Sequence, residues 1–395
     1  MSAPMQAYLD QAIAWRRELH RHPELSFEET ATVAYIAREL AVLRHAGFER
    51  LTPTSLVVVF KTGRPGARIG LRADIDALPV QEDRPDLDFV SQVPGKMHAC
   101  GHDAHAAVLM AACRWFDDHF EQLDGEIHAI FQHAEELPPG GAREMVATGY
   151  FDDFDFIYGQ HLMSTLPTGQ IDLKDGPCSA NSDVYDIVLY GKGGHASMPE
   201  ASVDPVVAAA QFVSGIQTLV SRRVPPRTPA VVSNTVLLAG TPAALNVIPH
   251  SARLGGSVRT TDEATRALVR AGLEDHLKAV CAAFPGLRYE FDFRIGYDAV
   301  FNDPAQTAIV RELARARWGD AVSSQPAMLG GEDFSAFSAR VPSTYAIIGA
   351  GNKDKGFDYP HHHPKFGLDE DSFGIALQMM LAVGCNGRRF ARQAR

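Results

Sequence analysis

KDGPCSANSDVYDIVLYG, residues 174–191, is where the rhythm of this chain changes. A turn-rich run of Gly, Pro, Ser and Asn gives way to a β-branched and aromatic strand pattern. From Asp183 the order reads strand (DVYDIVLYG), helix (DPVVAAAQFVSGIQTLVSR), strand (AVVSNTVLLAG), strand (SARLGGSVRT), helix (TDEATRALVRAGLEDHLKAVCAAF), strand (LRYEFDFRIG). That βαββαβ order is the split-βαβ plan of a small ferredoxin-like domain.

On either side the pattern is different. Upstream, Met5 to His20 and EETATVAYIARELAVL carry apolar residues at helical spacing, whereas SLVVVFKTG and ARIGLRADI are short β-branched runs. AAVLMAACRWFDDHF reads as a helix, GEIHAIFQHAEE as a buried strand entering a polar loop, and FDFIYGQHL as a strand ending near His161. The alternation returns after Tyr297 with the helix PAQTAIVRELARARWG, the strand STYAIIGAG and a last helix from Ser372. The expected fold is therefore α/β. A discontinuous catalytic domain, residues 1–180 and 296–395, has helices on both faces of a mixed sheet, and an α+β domain, residues 181–295, is inserted in it. Glycines near the junctions, Gly176 and Gly296, are placed to act as hinges.

At 395 residues the chain exceeds what one core usually serves, which favours two domains. Acidic and basic residues are mixed, with a net charge of -11 and no long single-sign run, which argues against a nucleic-acid surface. No run approaches the roughly 20 apolar residues that span a bilayer, and the N-terminus lacks a signal-peptide pattern, so a soluble, cytoplasmic protein is expected. Five scattered cysteines in a chain this size read as reduced thiols, not as a disulfide framework.

Chemistry gathers in four places. MHACGHDAH, residues 97–105, puts Cys100 and His102 two apart on a loop at the start of a helix, where both can face one ion. A nucleophilic cysteine or a structural cluster are the competing readings. In FQHAEELPPGG, adjacent Glu135 and Glu136 project in different directions, so one can bind an ion while the other faces water. A solvated acidic pair is the bland alternative. His161 in YGQHLM and the triple histidine of DYPHHHPKF complete a Cys, His, Glu, His, His set. Such mixed donors suit zinc, with manganese, cobalt or nickel also open.

LHRHPELSFEE, RADIDALPVQE, MHACGHDAH, FQHAEE, GKGGHASMPE, NVIPHSARLGGSVRT, GGEDF and HHPKF occur in that order along essentially the whole chain. Together they resemble the metal-dependent amidohydrolases and peptidases that include aminoacylases, hippurate hydrolases and indole-acetyl-amino-acid hydrolases. The resemblance implies two divalent ions per subunit, a zinc-peptidase-like catalytic domain and an inserted ferredoxin-like domain serving dimerisation or as a lid. Carried over, it makes Cys100, His102, Glu136, His161 and His362 the metal ligands, with Cys100 bridging and Glu135 the general base. His362 is taken from the triple because the family ligand stands two residues before the proline, here Pro364. Asp74 and Asp76 are read as orienting ligands or as structural. His195 resembles an oxyanion-stabilising residue, in relatives often supplied by the partner subunit, though a histidine in a Gly-rich turn is the plain alternative. Asn246 and Arg253 or Arg259 are candidates for the substrate carboxylate, Arg259 being preferred, and Gly331 for a close approach to the substrate.

Two departures bear on specificity: His133 stands where proline is common, and Met163, Ser164 and Thr165 replace an aromatic run after His161. The expected activity is hydrolysis of N-acyl-amino acids, with a homodimer formed through the inserted domain. A dipeptidase or N-carbamoyl-amino-acid hydrolase using the same site is the alternative among enzymes. A protein that only binds metal or an acyl-amino acid is the alternative outside them.

Overall fold

The structure, a computed structural model, describes residues 3–391. The chain divides into two compact units. One comprises the residues up to Cys178, Val300–Pro326 and those from Glu332 onward; the other is Ser179–Ala299 with Ala327–Gly331. The short Ala327–Gly331 segment thus goes with the insert, whereas the sequence boundary leaves it in the catalytic part. In chain order the main strands are β1 (Ala46–Glu49), β2 (Leu56–Lys61), β3 (Arg68–Asp74), β4 (Glu126–Gln132), β5 (Phe156–Pro167), β6 (Ile171–Asp172), β7 (Asn181–Tyr190), β8 (Ala230–Ala239), β9 (Ser251–Thr260), β10 (Arg288–Tyr297), β11 (Val322–Ser323) and β12 (Ser343–Gly351).

The first unit is a mixed sheet in the order β1-β2-β4-β3-β5-β12-β6-β11. Its central pairs, β3 with β4, β3 with β5 and β5 with β12, are parallel. Period-two alternation sorts the side chains. Ile69, Leu71 and Ala73 of β3, Ile127, Ala129 and Phe131 of β4, and Phe156, Tyr158 and Leu162 of β5 join the main core with the helices Ala3–Arg21, His102–Asp118 and Phe373–Cys385. The intervening residues face the other way, toward Phe334, whose ring lies 5.0 Å from that of Tyr345. Arg72, Asp74, Gln132 and His161 are on that second face, at or near the carboxyl ends of parallel strands, where α/β sheets gather their sites. β5 does not end near His161 as the sequence suggests: it runs six residues further, because β12 pairs alongside it as far as Pro167.

The second unit is a four-stranded antiparallel sheet in the order β8-β9-β7-β10. The helices Pro205–Thr218 and Glu263–Ala283 pack on one face over Tyr185, Ile187, Leu189 and Leu254. Each helix starts on an aspartate cap, Asp204 accepting from Val206 and Asp262 from Thr265. All five cysteines are free thiols. Among the described residues no helix is long and apolar enough to cross a membrane.

The second unit also buries a charge. Asp183 is wholly enclosed, and Arg266 Nε donates to it at 2.9 Å. Burial pushes the Asp183 carboxyl above its ordinary range while Arg266 pulls against that shift. Arg266→Met strands the carboxylate, so the unit should lose about 3–5 kcal/mol of stability in urea titration. A loss under about 1 kcal/mol would show that the pair is dispensable.

Candidate metal centre

Cys100 and His102 reach one space because the chain turns sharply between them. Gly101 has φ 91°, in the left-handed region that side chains with a Cβ rarely adopt, so glycine is favoured there. The helix His102–Asp118 begins immediately after it.

Hydrogen-bond partners fix which nitrogens carry lone pairs toward this space. His102 Nδ1 donates to Asp76 Oδ1 at 3.0 Å, which leaves Nε2 as the lone-pair nitrogen; it is buried and has no hydrogen-bond partner. His161 Nδ1 donates to the Leu162 carbonyl at 3.0 Å, and its Nε2 lies 3.5 Å from Cys100 Sγ. His105 is spent on both sides: Nδ1 is 2.6 Å from Asp74 Oδ1, and Nε2 accepts the Leu162 N–H at 2.9 Å. His361, which the sequence reading passed over, accepts the Ser164 N–H on Nε2 at 3.2 Å. Its Nδ1–H therefore faces Cys100 Sγ, 3.5 Å away, as a donor. His362, backbone in the left-handed region at φ 66°, sets Nε2 3.2 Å from Glu136 Oε1.

The ligand-bearing atoms of Cys100, Glu136 and His362 lie within 4.8 Å of one another, as do those of Cys100, His161 and His361, and those of His102, Glu135 and Glu136. The structure thus brings together all five residues expected as ligands, with the expected base beside them. Asp76, which the sequence left open, is the tie: it holds His102 and also accepts the Glu136 N–H at 3.0 Å and the Ser26 hydroxyl at 2.7 Å. Burial pushes its carboxyl up, but these hydrogen bonds outweigh burial and keep it below the usual range.

The electrostatics ask for positive charge here. Burial works against protonating His102, yet Asp74, Asp76 and Glu136 raise its pKa to about 10. Burial, with Glu136, Glu135 and Asp74 nearby, drives the Cys100 thiol well above its ordinary value. Burial likewise raises Glu135 far above a normal carboxylate, and Glu332, Glu136 and Asp333 add to it. A divalent cation answers all three by replacing the imidazole proton and holding the sulfur as thiolate. The donor set therefore fits a metal.

A second network lies behind Glu135 and was not legible in the sequence. Arg72, with no exposed side-chain surface, donates to Gln132 (2.7 Å), Asp74 (2.7 Å), Glu332 (3.0 Å) and Asp333 (2.9 Å). Tyr345 donates its hydroxyl to Glu332. Glu135, Glu332 and Asp333 have carboxylate oxygens within 4.8 Å of one another. The one available signal was an arginine in the middle of a strand whose neighbours Leu71 and Ala73 are apolar.

The remaining candidates belong to the second unit. His195 is exposed and pairs with Val247, its Nδ1 2.8 Å from the Ser197 hydroxyl. Asn246 is exposed, and its carbonyl accepts the Ala196 N–H. Arg253 is held by both oxygens of Asp186, while Arg259 donates to the carbonyls of Asp183 and Val258. Gly331 is needed for packing: a Cβ there would stand 2.8 Å from Ser182 Cβ.

Residues 70–383 match the peptidase family M20/M25/M40. The chain belongs to that family. It is 44% identical over 290 residues to the N-acyl-L-amino acid amidohydrolase of Geobacillus stearothermophilus, covering 73% of this chain and 77% of that protein. It is 37% identical over 374 residues to an N-acetylcysteine deacetylase of Bacillus subtilis, covering 94% and 95% respectively. Among solved structures, a dinuclear metal-binding M20 peptidase of Bacillus subtilis, the YXEP protein, superposes with a TM-score of 0.83 at 33% identity, over 98% of this chain and all of that one.

In this M20 chain Asp76 holds two of the candidate ligands at once, His102 and Glu136, so Asp76→Ala should weaken divalent-metal affinity about 10- to 100-fold. Calorimetric titration of metal-free protein checks this, and unchanged affinity would remove Asp76 from the account.

Proposed function

We propose that this protein is a metal-dependent amidohydrolase that cleaves the amide bond of N-acyl-amino acids into a carboxylic acid and a free amino acid. The observation that carries the reading is the adjacent pair Glu135 and Glu136. Glu136 reaches His102 and His362, while Glu135 stands beside Glu332 and Asp333, where burial first and the neighbouring carboxylates second raise its proton affinity. Similarity to an N-acyl-L-amino acid amidohydrolase and an N-acetylcysteine deacetylase supports the substrate class.

Cys100, His102, Glu136, His161 and His362 would hold two divalent ions. The Cys100 sulfur, which sits both with Glu136 and His362 and with His161, would help to hold both. Sulfur, imidazole and carboxylate donors suit zinc, manganese, cobalt or nickel. When bound, such ions supply Lewis acidity, polarising a carbonyl and lowering the pKa of water from 15.7 to about 7. Glu135 takes the proton of the attacking water, holds it, and hands it to the departing amine nitrogen. His361, donating from Nδ1, steadies the Cys100 thiolate. His195 donates to the developing oxyanion. Arg259, whose hydrogen bonds go to the carbonyls of Asp183 and Val258, takes the substrate carboxylate, with Asn246 and Gly331 shaping its surroundings.

The inserted unit has the strand order of a ferredoxin-like domain, and it serves as the dimerisation surface. β8 pairs only with β9, leaving an edge free among the described residues. Leu238 (62%) and Leu245 (88%) are strongly exposed on and beside it, with Leu237 and Val247. A free edge flanked by apolar side chains is a template for a second copy. Light scattering should give a homodimer, and Leu238→Asp should shift it toward monomer; a monomer from the unaltered chain would contradict this.

Glu135→Gln should lower kcat about 10²- to 10⁴-fold, the usual contribution of a general base, while metal content stays at the parent level. Turnover within a few-fold of the parent would move the proton transfer elsewhere.

A further inference from the structure

The stretch LHRHPELSFEE, residues 19–29, carries part of the family likeness, yet only its Ser26 has so far met the centre, through Asp76. Glu29 sits at the N-cap position of the helix Thr30–Leu40, but its side chain does not cap that helix. Glu24 does so instead, accepting from the N–H groups of Ala31 at 3.2 Å and Thr32 at 2.7 Å. Glu29 is thereby released for another partner. Fully buried, it accepts the Ala134 N–H on Oε1 at 2.7 Å, 105 residues along the chain.

Ala134 is the residue immediately before Glu135, and its φ is 50°. That is the left-handed region, which a residue with a Cβ occupies only when its surroundings hold it there. The surroundings are specific. The Ala134 carbonyl accepts the Gly141 N–H at 3.0 Å. Phe27, itself at φ 69°, sets its ring edge-on 5.6 Å from His133. The segment of Phe27 and Glu29 thus meets the 133–134 turn twice, through the Phe27 ring on His133 and the Glu29 carboxylate on the Ala134 N–H.

We infer that Glu29 is a positioning residue: by accepting the Ala134 N–H it holds that left-handed turn and so aims Glu135 and Glu136 into the centre. The inference rests on the reading of Glu135 as base and Glu136 as ligand. Burial, the largest influence, pushes the Glu29 carboxyl up to about 8. A neutral glutamine amide is therefore a close substitute, whereas asparagine is one methylene too short to reach Ala134 and remains a good N-cap residue.

The test compares Glu29→Gln, Glu29→Asn, Glu29→Asn/Ala134→Gly and Glu29→Asn/Ala134→Val, with Glu135→Gln beside them. Each is assayed for kcat and KM at saturating metal, and for metal affinity by calorimetry. Glu29→Gln should stay within about threefold of the parent. Glu29→Asn should lose at least tenfold in kcat with KM within threefold, and metal should bind more weakly. Glycine at 134 adopts the left-handed turn without help and should recover most of both losses, whereas valine should recover neither. Parent-like turnover of Glu29→Asn, or no recovery in the glycine double variant, overturns the inference. If Glu29→Asn does not fold, recovery of folding by Ala134→Gly supports it, and failure of both to fold overturns it. An inert Glu135→Gln with a fully active Glu29→Asn defeats this inference alone. An active Glu135→Gln defeats the underlying reading of the base.

Discussion

A single buried carboxylate, Asp76, ties the centre together. It receives the His102 ring, the Glu136 backbone N–H and the Ser26 hydroxyl, drawing on three separate stretches of chain. Its position two residues beyond Asp74, the last residue of β3, is a consequence of the sheet. Strand alternation sends Arg72 and Asp74 to the face opposite the main core, and the chain then delivers Asp76 to the same side. Without that fixed carboxylate, neither the lone pair of His102 nor the direction of the Glu135–Glu136 loop is defined.

Charge is the second constraint. Asp74, Asp76, Glu135, Glu332 and Asp333 are all buried in one unit, an arrangement that a protein interior tolerates only with compensating cations. Arg72 supplies one, bridging Asp74 on the strand to Glu332 and Asp333, 260 and 261 residues away in sequence. The remaining excess falls on the side of Cys100, His102 and Glu136, where metal ions are the natural counter-charge. The same surplus that calls for cations keeps the proton affinity of Glu135 high. The candidate metal site and the proposed base thus draw on one field.

The strand and helix order between Asn181 and Tyr297 could be read from periodicity, because its main strands and helices are each ten residues or longer. The residues that the fold gathers at the candidate centre could be picked out beforehand because four short stretches each concentrate donor side chains. What stayed hidden depends on long-range pairing or on hydrogen-bond direction. Nothing local marks Arg72 as the partner of Glu332, and nothing in DYPHHHPKF tells that Ser164 turns His361 into a donor. The extent of β5 past His161 depends on β12, which lies nearly two hundred residues downstream. Glu24 and Glu29 were invisible for the same reason, since their exchange of capping duty makes sense only once Ala134 is seen at a positive φ.

The central claim, a two-ion centre that hydrolyses N-acyl-amino acids, is tested most directly by titrating metal-stripped protein. Zinc, manganese, cobalt and nickel are added separately, and hydrolysis of N-acetyl and N-benzoyl amino acids is followed beside dipeptides and N-carbamoyl amino acids. The account predicts that activity on the acyl-amino acids rises to a plateau at two equivalents of at least one ion per chain. Two equivalents bound with no hydrolysis of any acyl-amino acid would contradict it.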